Sequence, residues 1–590
     1  MVTTRFKSVS EACRRQHGHV YEHKLLAQEN SYKLFHQIIP SAPNDPSHGV
    51  KAVLNKCGGL PLAIIVVAGL VASKLKSDTD PELESHLAQV NKNLSEDLGN
   101  NLTTEAVTRL LRHCYNHLPA DLKTCLLYMS MFPKGCHISR KRLIRRWIAE
   151  GFIIDKDGKT VEEVAEDCFN ELIGRNLIRA VNNSSNGKVK SCQIHDMVLE
   201  YIVSKSSDEN FITVVGGHWQ TPFPTYKVRR LSIHKSDQKE KETVERMKLS
   251  HIRSLTALGS FRAIHSILLK FQILQVLDLD DCKDLSPHHL NKICKMYLLK
   301  YLSLRRTDIE RIPKKIGRLE YLEVLDIRET KVRELPASIE RLQRLAHLLA
   351  GDKNKRIALK LTEGITKMLS LQTLSGVEIC GSSTGASMGG STDGGVSLAL
   401  APVSMTANSE DGDGFCGQQK LKWCFECKKV RTKFAKENRP LLALENLTNL
   451  KKFTIYRLGS LTKGDSMLLL SAIEHLSSCS LKFLMIDDDF TGFLDSSLNA
   501  SQAPPEHLHT LGLSGLLSQL PNWIGRLHTL EKLTLSLTSL TTDTLLVLSE
   551  LPELFSLTFS LDAAKSNGVV HKILYDNTIK SGGKIFVLAG

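Results

Sequence analysis

Two neighbouring stretches, "LKYLSLRRTDIERIPKKIGRL" (Leu299–Leu319) and "LEVLDIRETKVRELPASIERL" (Leu322–Leu342), align without a gap at a shift of 23 residues. Leu302 falls on Leu325, Leu304 on Ile327, Thr307 on Thr330, Ile312 on Leu335 and Pro313 on Pro336. The shared pattern is L-x-x-L-x-L, a turn and a short convex segment, which is a leucine-rich repeat. Its leucines point inward and cannot be buried within one copy, so neighbouring copies must stack into a continuous core. Looser copies stand at 274–282, 447–455, 480–488, 507–515 and 530–537, and "VRRLSIH" at 228–234 reads as the first strand. A solenoid is therefore expected from about 228 to the C-terminus.

"CGSSTGASMGGSTDGG", from Cys380, interrupts the series with Gly/Ser-rich low complexity that offers nothing to pack. The basic stretch "KWCFECKKVRTKFAKENR" follows, and repeats resume near Leu444. Residues 380–440 thus read as a disordered insert, or as translated non-coding sequence. Cys416, Cys424 and Cys427 within it make C-x7-C-x2-C, one ligand short of a zinc knuckle, so no metal is expected.

The 590 residues suggest roughly four units at about 150 residues each. With 42% hydrophobic and 24% charged residues the chain is globular. Its 14 cysteines lack the dense spacing of a disulfide scaffold. "MVTTRFKSVSEACRRQHGH" has no apolar core of a secretory signal. The longest apolar run, "LPLAIIVVAGLVA" (Leu60–Ala72), is short of the ~20 residues that span a bilayer. These features together predict a reduced, cytoplasmic protein without a transmembrane segment.

Before the repeats the pattern is helical. In "HISRKRLIRRWIAEGF", Ser139 is expected to cap a helix and Gly151 to stop it. Leu143, Ile144, Trp147 and Ile148 form its core face, with Arg142, Arg145 and Arg146 largely off that face. Thr160 and Glu163 have capping-box spacing, and Val164, Cys168, Phe169 and Leu172 supply the next apolar stripe. "LIRAVNNSSNGKVKSCQI" then reads as strand, Asn-Gly turn and strand. Two helices followed by a β-wing predict a winged-helix domain. Its basic helix could enter a DNA groove, although such arginines also serve as a solvated face.

His195 and Asp196 stand side by side where the wing returns to a last helix, "MVLEYIVSK". A catalytic triad would need a nucleophile motif such as G-x-S-x-G, which does not accompany them. Zinc would need about four convergent ligands. The remaining readings are a structural histidine, or an imidazole that donates to an anion while Asp196 caps the helix.

"NKCGGLPLAI" (Asn55–Ile64), "CLLYMSMFPKGCHISRKRLIRRWIAEGFI" (Cys125–Ile153) and "IHDMV" (Ile194–Val198), in this order and ahead of the repeats, resemble a plant NB-ARC leucine-rich-repeat immune receptor of the coiled-coil, non-TIR class. "MVTTRF" resembles the end of its nucleotide-binding subdomain. The resemblance implies a multidomain α + α/β fold: a remnant of that subdomain at 1–20, a helical ARC1 domain at 21–112, a winged-helix ARC2 domain at 113–210, and leucine-rich repeats at 228–379 and 441–590, forming a horseshoe.

It also implies an ADP/ATP switch. Arg5 would be the sensor arginine, and Gly59, Leu60 and Pro61 would lie beside the adenine. His195 would contact the β-phosphate of ADP, next to Asp196. Read without the family, "GGLPL" is also an ordinary glycine turn before a core helix.

The resemblance meets one gap. The family's phosphate loop, G-x-x-x-x-G-K-[ST], does not occur: "GKT" at Gly158–Thr160 has Ile153 where the first glycine belongs. A Mg²⁺-binding carboxylate pair after a buried strand is missing from the N-terminal part as well, and "FLMIDDDF" (Phe483–Phe490) sits on a repeat strand. The chain therefore reads as a truncated receptor, not an enzyme, with weak or no retention of ADP or ATP-Mg.

On the repeats, Tyr301, Ser303, Arg305, Val324, Asp326 and Arg328 are expected to face the concave side and meet a pathogen effector or guarded host protein. Arg305 and Arg328 would stack as neighbours. Contacts between repeats and ARC domains, oligomerisation on activation, and no specific nucleic acid are also expected. The alternative is a nucleotide-independent interaction module, a decoy, adaptor or non-functional fragment.

Overall fold

The computed structural model describes residues 21, 24–40, 47–75, 83–98, 104–156, 158–183, 188–234, 238–259, 261, 264–380, 439–458, 461–487, 507–517, 520–537 and 542–561. Arg5 with the expected remnant at 1–20, the three cysteines of the insert, and residues 562–590 lie outside them. The chain divides into two compact units, one ending at Pro224 and the other beginning at Thr225.

Among the described residues the first unit begins with five helices: α1 (Gln28–Ile38), α2 (His48–Cys57), α3 (Pro61–Ala72), α4 (Leu83–Leu98) and α5 (Thr104–Asn116). The Oγ of Ser47 accepts from Val50 N and starts α2, and Gly58, left-handed at φ 54°, ends it. α3 is apolar on nearly every side, and Ile64, Val67 and Val71 are fully buried. It is the helix the others pack around, as all-round hydrophobicity requires. The expected boundary between residues 112 and 113 falls inside α5.

The next part carries α6 (Ala120–Tyr128), α7 (Arg140–Glu150) and α8 (Val161–Gly174). Ser139 stands at the N-cap of α7 without a side-chain cap bond, and Gly151 closes it in the left-handed conformation. Thr160 and Glu163 form the full capping box of α8. The wing is β2 (Arg179–Asn183) antiparallel to β3 (Val189–Gln193), and β1 (Ile138–Ser139) pairs on the other side of β3. Helix α9 (Asp196–Asp208) follows. Asn176 Nδ2 donates to Ile65 O of α3 at 3.3 Å. A Cβ on Gly69 would sit 2.6 Å from Arg175 O. The helical bundle and the winged helix thus meet backbone to backbone and share one hydrophobic core.

One expectation is corrected here. Arg146 is not off the core face but fully buried. Its Nε donates to the Tyr128 hydroxyl at 3.0 Å, and its guanidinium lies 5.1 Å from the Tyr128 ring centre and 5.0 Å from that of Phe132. Two aromatic faces replace the water a cation would otherwise need. Arg142 lies 5.8 Å from the Phe132 ring as well. Arg146 is therefore enclosed, out of reach of a phosphate backbone.

The second unit is a ladder of parallel strands. Arg230, Ser254, Val276, Tyr301, Val324, His347 and Thr373 occupy the same rung in successive repeats, and Lys452, Phe483, Thr510, Lys532 and Ser556 continue it. Leu299, Leu302 and Leu304, like Leu322, Leu325 and Ile327, are at most 1% exposed. The buried Thr307 and Thr330 hydroxyls donate to Leu304 O and Ile327 O, each at 2.7 Å. Pro313 and Pro336 precede equivalent 3-10 turns. Thr373–Ile379 pairs directly with Lys452–Leu458, so the ladder passes over the insert without losing a rung.

Candidate functional site

His195 owes its position to the residues around it. Cys192 and Ile194 turn into the core, as do Val198, Leu199 and Ile202 on the following helix. The residue between these two anchored runs is left exposed. His195 is itself the N-cap of α9, and its Nδ1 accepts from Met197 N at 3.2 Å. This bond leaves the proton on Nε2, where the ring can donate outward.

Partial burial lowers the imidazole's affinity for a proton; Asp196 raises it, and Arg179 lowers it again. The expectation that Asp196 caps the helix is corrected. With the cap already taken, Asp196 lies in the first turn, where an acid suits the helix dipole, and its Oδ2 meets Lys134 Nζ at 2.7 Å.

Sequence reasoning missed the residues that frame this corner. Lys134 also lies 5.2 Å from the Trp219 ring centre. Arg179 donates across the hairpin to Gln193 Oε1 at 2.7 Å, and Gln193 Nε2 donates to Gly135 O at 3.2 Å. The wing, the Lys134 turn and the start of α9 are thus tied together. The Arg179–Gln193 pairing was readable from strand register, whereas nothing in the sequence marks Trp219. Around His195 stand two cations, one acid and the positive end of a helix, an environment that favours an anion.

The Gly59–Pro61 turn has its own geometry. Gly59 is at φ +69°, and a Cβ there would come within 2.4 Å of Leu26 O. Leu26 N donates to Gly59 O at 2.9 Å, which seals this close approach. Leu60 caps α3 through its backbone and the exposed Pro61 is its first residue, a position where proline's missing N–H costs nothing. Among the described residues, no hydrogen bond or ion pair joins His195 to this turn. "GKT" at Gly158–Thr160 leads into the N-cap of α8.

The repeat residues require a second correction. Tyr301, Ser303, Val324 and Asp326 are each no more than 3% exposed, so they are not open to a partner. Parallel neighbours cover them, and Arg328 lies beside both Tyr301 and Tyr456. Arg305 and Arg328 remain half-buried. Rather than relying on each other, each guanidinium takes a carboxylate: Arg305 pairs with Glu329, and Arg328 reaches Asp326 at 2.9 and 2.5 Å.

Comparison with known proteins places these features. Residues 131–202 match the model of the disease resistance protein winged helix domain, and residues 251–388 that of a leucine-rich repeat region. Disease resistance protein PIK6-NP of Oryza sativa subsp. japonica is 44% identical over 612 residues, covering 100% of this chain and 55% of that protein. Disease resistance protein RGA4 of the same organism is 30% identical over 566 residues, covering 93% of this chain and 50% of that one.

A leucine-rich-repeat protein of Leptospira interrogans is a distant structural match. Its TM-score is 0.32 at 18% identity, over 53% of this chain and 67% of that one, and it adds nothing to the assignment. The chain spans about half the length of the curated relatives it matches. Over the part it spans, the chain is homologous to plant disease resistance proteins and matches their winged-helix domain and a leucine-rich-repeat region.

Proposed function

We propose that the chain is part of a cytoplasmic plant immune receptor that works as an ADP/ATP-biased switch. Its repeats recognise a pathogen effector or a guarded host protein. The observation that carries this reading is His195, an exposed N-cap imidazole whose Nδ1 is engaged by the helix, which leaves Nε2 as the ring's donor. Arg179 and Lys134 add positive charge around it. ADP held there, with the Gly59–Pro61 turn beside its base, would favour the resting arrangement, and ATP with Mg²⁺ the active one. A ligand biases such an equilibrium only by its difference in affinity for the two states.

The test is the nucleotide content of the protein purified from plant tissue, measured by chromatography after release. The reading requires detectable ADP, retained only weakly because the chain carries no G-x-x-x-x-G-K-[ST] phosphate loop, and its loss in His195→Ala. Equal ADP content in the two proteins removes His195 as the reader.

The second reading is a nucleotide-independent interaction module. It is favoured by the repeat ladder, which stands as a compact unit of its own. An effector or host partner bound with the same affinity by native protein and His195→Ala, in the absence of nucleotide, decides for that module.

A further inference from the structure

The repeats carry a second periodicity that the buried leucines do not explain. Ser254, Val276, Tyr301, Val324, His347 and Thr373 share one rung of the ladder. Six residues before each of them stands a cation: Lys248, Lys270, Lys295, Arg318, Arg341 and Lys367. All six are exposed. The residue after each cation is Leu249, Phe271, Met296, Leu319, Leu342 or Met368, and none of these is more than 3% exposed. At Leu249, Met296, Leu319, Leu342 and Met368 the carbonyl accepts from the N–H three residues on, at 2.9–3.2 Å. One turn therefore recurs, and because its next residue is anchored inward the cation is turned out, on the same edge each time. Parallel strands lie about 4.8 Å apart, so the six charges form a row at least about 24 Å long.

The protein neutralises this row only at one end. Lys367 meets Glu340 at 3.1 Å and Glu363 at 3.2 Å, and Lys270 donates to the Glu245 carbonyl at 3.5 Å. Among the described residues, Lys248, Lys295, Arg318 and Arg341 form no ion pair. Lys314 and Lys315 add exposed charge a few residues before Arg318, and the exposed Glu320 opposes it. Adjacent rungs feel one another: burial pushes the Cys294 thiol up to about 12, and Lys315 and Arg318 of the next repeat pull against that rise.

Apolar groups stand beside the charges. Two or three residues beyond the cation, on these same turns, Tyr297, Leu298, Tyr321 and Leu369 are each at least 41% exposed. Arg344 of the following repeat lies 4.7 Å from the Tyr321 ring centre. Large apolar side chains held in water next to cations without counter-ions suit a surface that offers both anions and an apolar layer. An anionic bilayer offers both at headgroup level, where tyrosine is enriched and every basic residue adds attraction. Lysine, by contrast, is depleted at protein–protein interfaces.

We propose that this edge of the repeat ladder docks on the surface of a bilayer containing anionic phospholipid. The cations meet headgroup phosphates and carboxylates, while Tyr297, Leu298, Tyr321 and Leu369 settle at the boundary with the acyl chains. Lipids diffuse laterally, so no fixed pattern of anions has to match the row. Neither the His195 corner nor a nucleotide takes part.

Co-sedimentation of the whole chain with vesicles tests this, using phosphatidylcholine alone and phosphatidylcholine with roughly 30% phosphatidylserine. Binding to the mixed vesicles and not to phosphatidylcholine is expected, and it should weaken as added salt screens the charges. Lys295→Gln, Arg318→Gln and Arg341→Gln together should weaken it on the order of 100-fold, at roughly fivefold per cation. All three side chains are exposed, so the far-UV circular dichroism and Tm of that variant should stay native. Lys331→Gln, Arg333→Gln and Lys355→Gln remove the same charge from exposed positions elsewhere on the repeats, and should leave binding within about threefold. Tyr297→Ser with Tyr321→Ser should weaken it about tenfold with the salt dependence kept. No sedimentation with the mixed vesicles, equal sedimentation with phosphatidylcholine, or equal losses in the two charge variants overturns the assignment. Tighter binding to soluble poly-glutamate or single-stranded DNA than to the vesicles also overturns it, and reassigns the edge to a protein or nucleic-acid partner.

Discussion

Arg146 shows how much one residue can hold together. Its guanidinium replaces lost water with the faces of Tyr128 and Phe132 and a bond to the Tyr128 hydroxyl. Arg146→Ala removes these contacts and leaves a cavity, at a cost of about 3 kcal/mol. The check is a lower chemical-denaturation midpoint. Arg146→Met, a flexible apolar side chain beside Met131, should recover part of the loss, whereas Arg146→Lys, a compact and strongly hydrated charge, should recover less.

His195 makes a different kind of prediction. Partial burial, the largest influence, holds its pKa below the usual 6.5, so the folded protein binds its proton less readily than the unfolded chain. Stability is then complete above about pH 6.5 and declines as pH falls through the window just below it. Histidine-selective NMR titration should find this lowered pKa. Asp196→Asn should lower it further, and Arg179→Ala should raise it. A value above 6.5 in the native protein contradicts this assignment.

At the scale of elements, caps and close approaches set the boundaries. Gly59 and Gly135 both have positive φ, at 69° and 73°, but only Gly59 has backbone within van der Waals reach of an added Cβ. Gly59→Ala should therefore cost about 1 kcal/mol or more beyond Gly135→Ala, which bears only the backbone strain. Paired thermal melts compare the two directly. The insert gives the complementary case. Because the strand before it pairs directly with the strand after it, replacing residues 381–438 by a short Gly/Ser linker should preserve the far-UV circular dichroism of the repeats. Loss of cooperative unfolding in that variant would show that the ladder depends on the insert.

Across the molecule, each repeat is stabilised by its two neighbours, so a defect at one rung weakens the ladder on both sides. Leu325 is fully buried between the rungs of Leu302 and Leu348. Leu325→Ala should cost about 2–5 kcal/mol. Tyr321, 41% exposed and stacked 4.7 Å from Arg344, marks the outer face. Tyr321→Ala should cost no more than about 1 kcal/mol. Denaturant titration of both variants tests whether the ladder draws its stability from the inner leucines.

Much of this architecture is written in the chain itself. The 23-residue shift carries Leu302 onto Leu325 and Thr307 onto Thr330 because a repeat uses the same buried positions each time. Capping-box spacing at Thr160–Glu163 and the strand–turn–strand of the wing are local signals, set by hydrogen bonds a few residues apart. Tertiary structure alone decided that Arg146 is enclosed by aromatic rings, that His195 rather than Asp196 caps α9, and that four of the six expected concave residues are covered. The reason is physical: periodicity records which face of an element is apolar, whereas the fate of a single polar group depends on what distant segments bring to it.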